Sequence, residues 1–138
     1  MDTLEINWVE LRERARQSAT KSYAPYSRVT VGAAALTSHG TVVEGCNIEN
    51  ASYGLTLCAE CSLLGDLTRC GGGELVAVAI VAGDGAPLAP CGRCRQLLFE
   101  HGGAKLLIDS GEGAEPKRLD QLLPDAFGPD DLDTRSNA

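Results

Sequence analysis

Cys58-Ala59-Glu60-Cys61-Ser62-Leu63-Leu64-Gly65-Asp66-Leu67-Thr68-Arg69-Cys70, then Gly71-Gly72-Gly73, then Leu75-Val76-Ala77-Val78-Ala79-Ile80-Val81-Ala82, then Pro90-Cys91-Gly92-Arg93-Cys94: this stretch decides the fold. Its first segment suits a helix from Cys58 to about Cys70, closed by three glycines. The second is a Val-rich, continuously apolar run, as expected of a strand buried on both faces. Pro90 opens a second helix, since proline suits the first helical turn, and Gly102-Gly103 ends it after about His101.

The flanks extend the alternation. Upstream, Trp8, Leu11, Ala15 and Ala19 recur at steps of three and four, which predicts an amphipathic first helix with Trp8 in the core. Ala24-Pro25-Tyr26-Ser27 breaks it. Val29–Thr37 and Thr41–Cys46 flank His39-Gly40 and read as a hairpin. Cys46 to Leu57 has no period and reads as a loop. Downstream, Lys105–Asp109 reads as a short strand. A short strand and helix near Arg118–Leu123 and an acidic tail follow, with residues 134–138 frayed. The order α-β-β-α-β-α-β, without repeat or linker, predicts one domain over residues 1–138. Its class is α/β: three α/β/α layers around a mixed sheet of about five strands.

Composition bounds the function. With 12 Lys+Arg against 19 Asp+Glu, the net charge is −7, which disfavours a phosphate-rich nucleic-acid partner. The longest wholly apolar run, Leu75 to Ala82, is far shorter than the roughly twenty residues that cross a membrane. The first residues carry Asp2, Glu5, Glu10 and Glu13 and no apolar signal core, so a cytoplasmic, reducing setting is expected. Six cysteines then stay as thiols or bind metal.

Cys58, Cys61, Cys91 and Cys94 admit two readings. Two C-x-x-C pairs can build a structural four-thiolate zinc site. The 29 residues between the pairs, which include a buried-looking strand, argue against that. In the other reading, Cys58 at one helix start joins Cys91 and Cys94, three apart at another, as three ligands for one Zn²⁺ per chain. Three ligands leave a position for water, as in catalytic zinc sites. Glu60, two residues after Cys58, is then placed to move that water's proton. Cys58-Ala59-Glu60 with Pro90-Cys91-Gly92-Arg93-Cys94 fits the zinc-deaminase signature in its three-cysteine form.

The chain further resembles the small, homotetrameric cytidine deaminases. The resemblance rests on Ala24-Pro25-Tyr26-Ser27, Val31-Gly32-Ala33-Ala34, Gly45-Cys46-Asn47-Ile48-Glu49-Asn50-Ala51-Ser52-Tyr53-Gly54 and Leu122-Leu123-Pro124-Asp125-Ala126-Phe127-Gly128. It implies conversion of cytidine and deoxycytidine to the uridine forms, ammonia release, and a place in pyrimidine salvage. It implies that Asn47 and Glu49 grip the ribose 3′-hydroxyl and that the Ala59 backbone holds the base. It also implies that Ala51, Tyr53 and Phe127 reach the site of a neighbouring subunit.

Three positions depart from the family pattern. Cys61 occupies a position where arginine commonly offsets the thiolate charge, and Arg93 stands where a small or apolar residue is common. Arg93 is therefore expected to take over that neutralisation, against the alternative of a solvated arginine. Val29 replaces a phenylalanine that lines the base pocket. Cys46 and Cys70 read as small buried hydrophobes. His39 and His101 do not read as ligands. The competing functions are a deaminase of another cytosine nucleoside, of the antibiotic type, a polynucleotide-editing deaminase, and a silent zinc-stabilised module with Cys61 closing the site. Glu60 separates the last from the enzymes, since a structural site has no use for a carboxylate there.

Overall fold

A computed structural model describes residues 5–136. The element order is α1 (Trp8–Ala19), β1 (Val31–Thr37), β2 (Val42–Cys46), α2 (Ala59–Arg69), β3 (Leu75–Ala82), α3 (Gly92–Gly102), β4 (Leu107–Ile108), β5 (Lys117–Arg118), α4 (Leu119–Leu122) and α5 (Pro129–Ser136). The five strands lie in the order β2-β1-β3-β4-β5. β1 is antiparallel to both β2 and β3, β3 and β4 are parallel, and β5 returns antiparallel to β4.

Because β1 opposes both its neighbours, β2 and β3 run in the same direction. The segments that leave them therefore start at the same edge of the sheet, and α2 and α3 both begin there. The two faces of the sheet bury different side chains. Ala34, Ala77, Ala79 and Val81 pack against Leu11 and Ala15 of α1, with Trp8 half-buried at the margin. Ala33, Ala35, Val78 and Ile80 pack against Leu63 and Leu67 of α2, Leu98 of α3 and Leu119 of α4. The result is the expected three-layer sandwich. Strand β3 supplies both faces, which explains its unbroken apolar reading.

Small residues set the layer spacing. A Cβ on Gly32 would lie 1.8 Å from the Ala15 carbonyl oxygen, and one on Gly45 would lie 2.3 Å from that of Ala59. Backbone thus touches backbone where α1 and the start of α2 meet the hairpin. The outer edge of β2 is closed by side chains of α2. Asp66 Oδ2 accepts from Glu44 N at 3.0 Å and Ser62 Oγ from Cys46 N at 2.8 Å. That removes ladder donors from the reach of another chain. On the far side, Arg12 of α1 holds the buried Asp109 after β4 through two 2.8 Å bonds.

Several boundaries differ from the sequence reading. The first hairpin strand begins at Val31, not Val29, because Arg28 is left-handed (φ 62°) and the Val29 carbonyl accepts from the Asn47 side chain. The strand expected over Lys105–Asp109 shrinks to Leu107–Ile108, flanked by backbone bonds from Leu119 N to Leu106 O and from Asp109 N to Val78 O. The loop after Cys46 contains a 3-10 turn at Tyr53–Leu55. The acidic tail forms α5, with Pro129 as its first residue, and this helix reaches Ser136; Asn137 and Ala138 lie outside the described residues. Cys46 is half-buried, and Cys70, at the α2 C-terminus, is exposed rather than a core residue.

Substituting Gly45→Ala should cost about 3 kcal/mol of stability in a urea titration, because the added methyl meets backbone that has nowhere to go. A loss below about 0.5 kcal/mol would show that the contact is not tight.

Candidate active site

Cys58 is the N-cap residue of α2 and Cys91 that of α3, both in extended backbone conformation. Cys94 follows in the first turn of α3 and is fully buried. The sulfurs of Cys58, Cys91 and Cys94 lie within 4.8 Å of one another. No other cluster of possible metal ligands occurs among the described residues. Shared strand direction, extended N-cap backbone and helical spacing together produce this convergence.

The donors suit zinc. Four-coordinate zinc with Zn–S bonds of about 2.3 Å needs sulfurs about 3.8 Å apart, which small side-chain movements supply here. Burial pushes the Cys58 and Cys94 thiols up, whereas the Cys94 N–H at the start of α3 draws the Cys91 thiol down. Metal binding must therefore release protons from the deeper sulfurs. The N-termini of α2 and α3, each worth about half a positive charge, favour the thiolates that form.

Cys61 is not part of the cluster. Its sulfur accepts from Arg93 Nη1 at 3.1 Å. The Arg93 guanidinium therefore lies against Cys61, and that bond, first, raises its pKa above the usual arginine value.

Beside the sulfurs lies a cavity of about 220 Å³ whose wall includes Val31, Asn47, Ala59, Glu60, Ile80 and Leu88. Cys58 and Cys91 open onto it. Glu60 is only 4% exposed. That burial raises its pKa above the usual carboxylate range, against the opposing pull of its own N–H and the Cys94 thiol. A carboxyl held in a cavity beside the metal ligands is placed to exchange a proton with a bound water or substrate.

The other predicted residues divide into two groups. Asn47 and Ala59 line the cavity. The Asn47 amide also bridges two backbone groups, donating to Val29 O and accepting from Val31 N, both at 2.8 Å. Glu49 lies nearby, its carboxylate accepting from Tyr26 N at 2.9 Å and Ser27 N at 3.1 Å. Val29, Ala51, Tyr53 and Phe127 are exposed and do not line this cavity. Tyr53 stacks at a tilt on Tyr26, with ring centres 5.9 Å apart. The Phe127 carbonyl accepts from Gln96 Nε2 at 2.7 Å, while its ring remains 59% exposed. Val31, Ile80 and Leu88 were not singled out from sequence. The first two alternate along strands as ordinary core residues do, and nothing in their residue type marks the cavity.

Comparison with known proteins agrees with this geometry. Residues 7–109 match the family model described as the cytidine and deoxycytidylate deaminase zinc-binding region. The chain is 59% identical over 128 residues to a cytidine deaminase of Mycobacterium tuberculosis, covering 93% of this chain and 95% of that one. The crystal structure of cytidine deaminase from Mycobacterium tuberculosis superposes with a TM-score of 0.86 at 58% identity, over 90% of this chain and 99% of that one. That of cytidine deaminase from Mycobacterium leprae does so with 0.83 at 50% identity, over 87% and 99%.

Replacing Cys58, Cys91 or Cys94 singly by alanine should reduce bound zinc, measured by mass spectrometry of the metal, from one per chain to a small fraction. Cys61→Ala should keep it. Loss of zinc from Cys61→Ala equal to that from Cys91→Ala would make Cys61 a ligand.

Proposed function

The chain belongs to the cytidine and deoxycytidylate deaminase family, and from that premise we infer that it hydrolyses cytidine and deoxycytidine to uridine and deoxyuridine with release of ammonia. One observation carries the reading: a buried carboxyl, Glu60, shares a small cavity with the cysteines of a three-thiol metal site. Cys58, Cys91 and Cys94 would hold the zinc. When bound, zinc supplies an acidified water that is nucleophilic near neutral pH.

Glu60 accepts the proton of the attacking water, places it on N3 of the base, and helps deliver one to the amine leaving C4. Its burial shifts it toward the protonated form, the direction a group that carries a proton between these atoms requires. Ala59 is the first residue of α2, so its N–H has no partner within the helix and is free to hold the base. Ile80 and Leu88 give the base apolar walls. Asn47 and Glu49 offer a donor and acceptors to the sugar. Val29 acts here mainly through its carbonyl, which fixes the Asn47 amide.

The exposure of Tyr53, Leu55 and Phe127, at 73%, 65% and 59%, supports a homotetramer in which Ala51, Tyr53 and Phe127 complete a neighbour's site. None of the six cysteines is paired in a disulfide, which suits a reducing cytoplasm, and the inferred reaction itself is one of pyrimidine salvage. No helix among the described residues is long and apolar enough to cross a membrane. The −7 charge and the small cavity favour a free nucleoside over a polynucleotide.

Zinc-loaded protein should shift the ultraviolet spectrum of cytidine to that of uridine. Glu60→Gln should lower kcat by about a thousandfold with zinc retained. A kcat within tenfold of the parent would remove Glu60 from the proton path.

A further inference from the structure

Ser27 lies outside the cavity, yet its side chain joins the two residues assigned to the sugar. Ser27 Oγ donates to Glu49 Oε2 and accepts from Val29 N at 3.0 Å. The Val29 carbonyl accepts from Asn47 Nδ2 at 2.8 Å. A closed circuit therefore runs from Glu49 through Ser27 and Val29 to Asn47, two residues before Glu49. Arg28 makes the circuit possible. Its left-handed backbone (φ 62°) turns the chain back between Ser27 and Val29, and its N–H bonds Ala24 O at 3.0 Å. A side chain longer than glycine adopts that conformation only where the surroundings impose it.

Counting lone pairs sharpens the point. An ionised carboxylate offers about four acceptor positions. Oε1 of Glu49 is filled by Tyr26 N at 2.9 Å and Ser27 N at 3.1 Å. Oε2 holds Ser27 Oγ and has one position left. The open acceptor is on the oxygen that Ser27 orients. Those same bonds, the Ser27 hydroxyl first, keep the Glu49 carboxyl below its usual range and so ionised.

We propose that Ser27 is a positioning residue for nucleoside recognition: it aims the remaining acceptor of Glu49 at a sugar hydroxyl and couples it to Asn47. The inference rests on the reading of Asn47 and Glu49 as the 3′-hydroxyl grip. Ser27 itself touches no substrate in this account. A substrate lacking the 3′-hydroxyl has nothing for the aimed acceptor to hold.

The test compares kcat/KM for cytidine and 3′-deoxycytidine in zinc-loaded parent, Ser27→Ala and Ser27→Thr proteins. The ratio of the two is independent of how much of each preparation is folded. The parent should prefer cytidine by about a hundredfold, because the shortened sugar forfeits a hydrogen bond to a charged acceptor. Ser27→Ala should lose about tenfold of that preference, and Ser27→Thr, which keeps the hydroxyl, should recover most of it. An undiminished preference in Ser27→Ala, or equal losses on both substrates, would overturn the proposal while leaving the sugar grip standing. A parent that does not distinguish the two substrates would overturn the grip itself, and the role of Ser27 with it.

Discussion

The antiparallel pairing of β1 with both of its neighbours is the constraint from which the site follows. It makes β2 and β3 parallel without placing them side by side. The helices that follow these strands then begin at one edge of the sheet, where ligands of open α/β sheets are commonly bound. Each helix start contributes extended backbone and unpaired N–H groups. Cysteine at the two N-cap positions, and again three residues into α3, brings three sulfurs to one point. Gly45 permits this closeness: a side chain there would push on the Ala59 carbonyl, in the first residue of α2. Packing at the hairpin and geometry at the metal site are thus one problem.

Charge is the second constraint. Three thiolates carry three negative charges against the two positive charges of zinc, which would blunt the acidity a hydrolase needs. The chain answers locally. Two helix N-termini supply partial positive charge directly. The Arg93 guanidinium bonds Cys61, whose sulfur lies outside the three-thiol cluster, and in the proposed reading it adds positive charge at the rim of the site. Glu60 remains buried beside the cluster, where desolvation holds its proton more firmly than water would.

Much of this was legible in the chain because it depends on period and spacing. The apolar runs of α1 and β3, the glycines after α2 and the two cysteine helix starts all have local signatures. Spacing together with the zinc-deaminase signature singles out Cys58, Glu60, Cys91 and Cys94 as candidates, and the fold brings the three sulfurs together. What escaped depends on contacts between distant segments. The Asn47 amide takes the Val29 carbonyl out of strand pairing, and Asp66 and Ser62 close the β2 edge from another element. Ser27 reads as a turn residue until its hydroxyl is found on Glu49. The tail reads as acidic coil, yet its backbone continues as a helix from Pro129. None of these has a period, and only the folded chain brings the partners together.

X-ray absorption at the zinc edge tests the central claim most directly, because it counts sulfurs without reference to activity. Zinc-loaded protein should show three sulfurs at about 2.3 Å and one oxygen or nitrogen at about 2.0 Å. Four sulfurs would mean that Cys61 leaves Arg93 to close the site, and a closed site would contradict the account of an open metal centre served by Glu60.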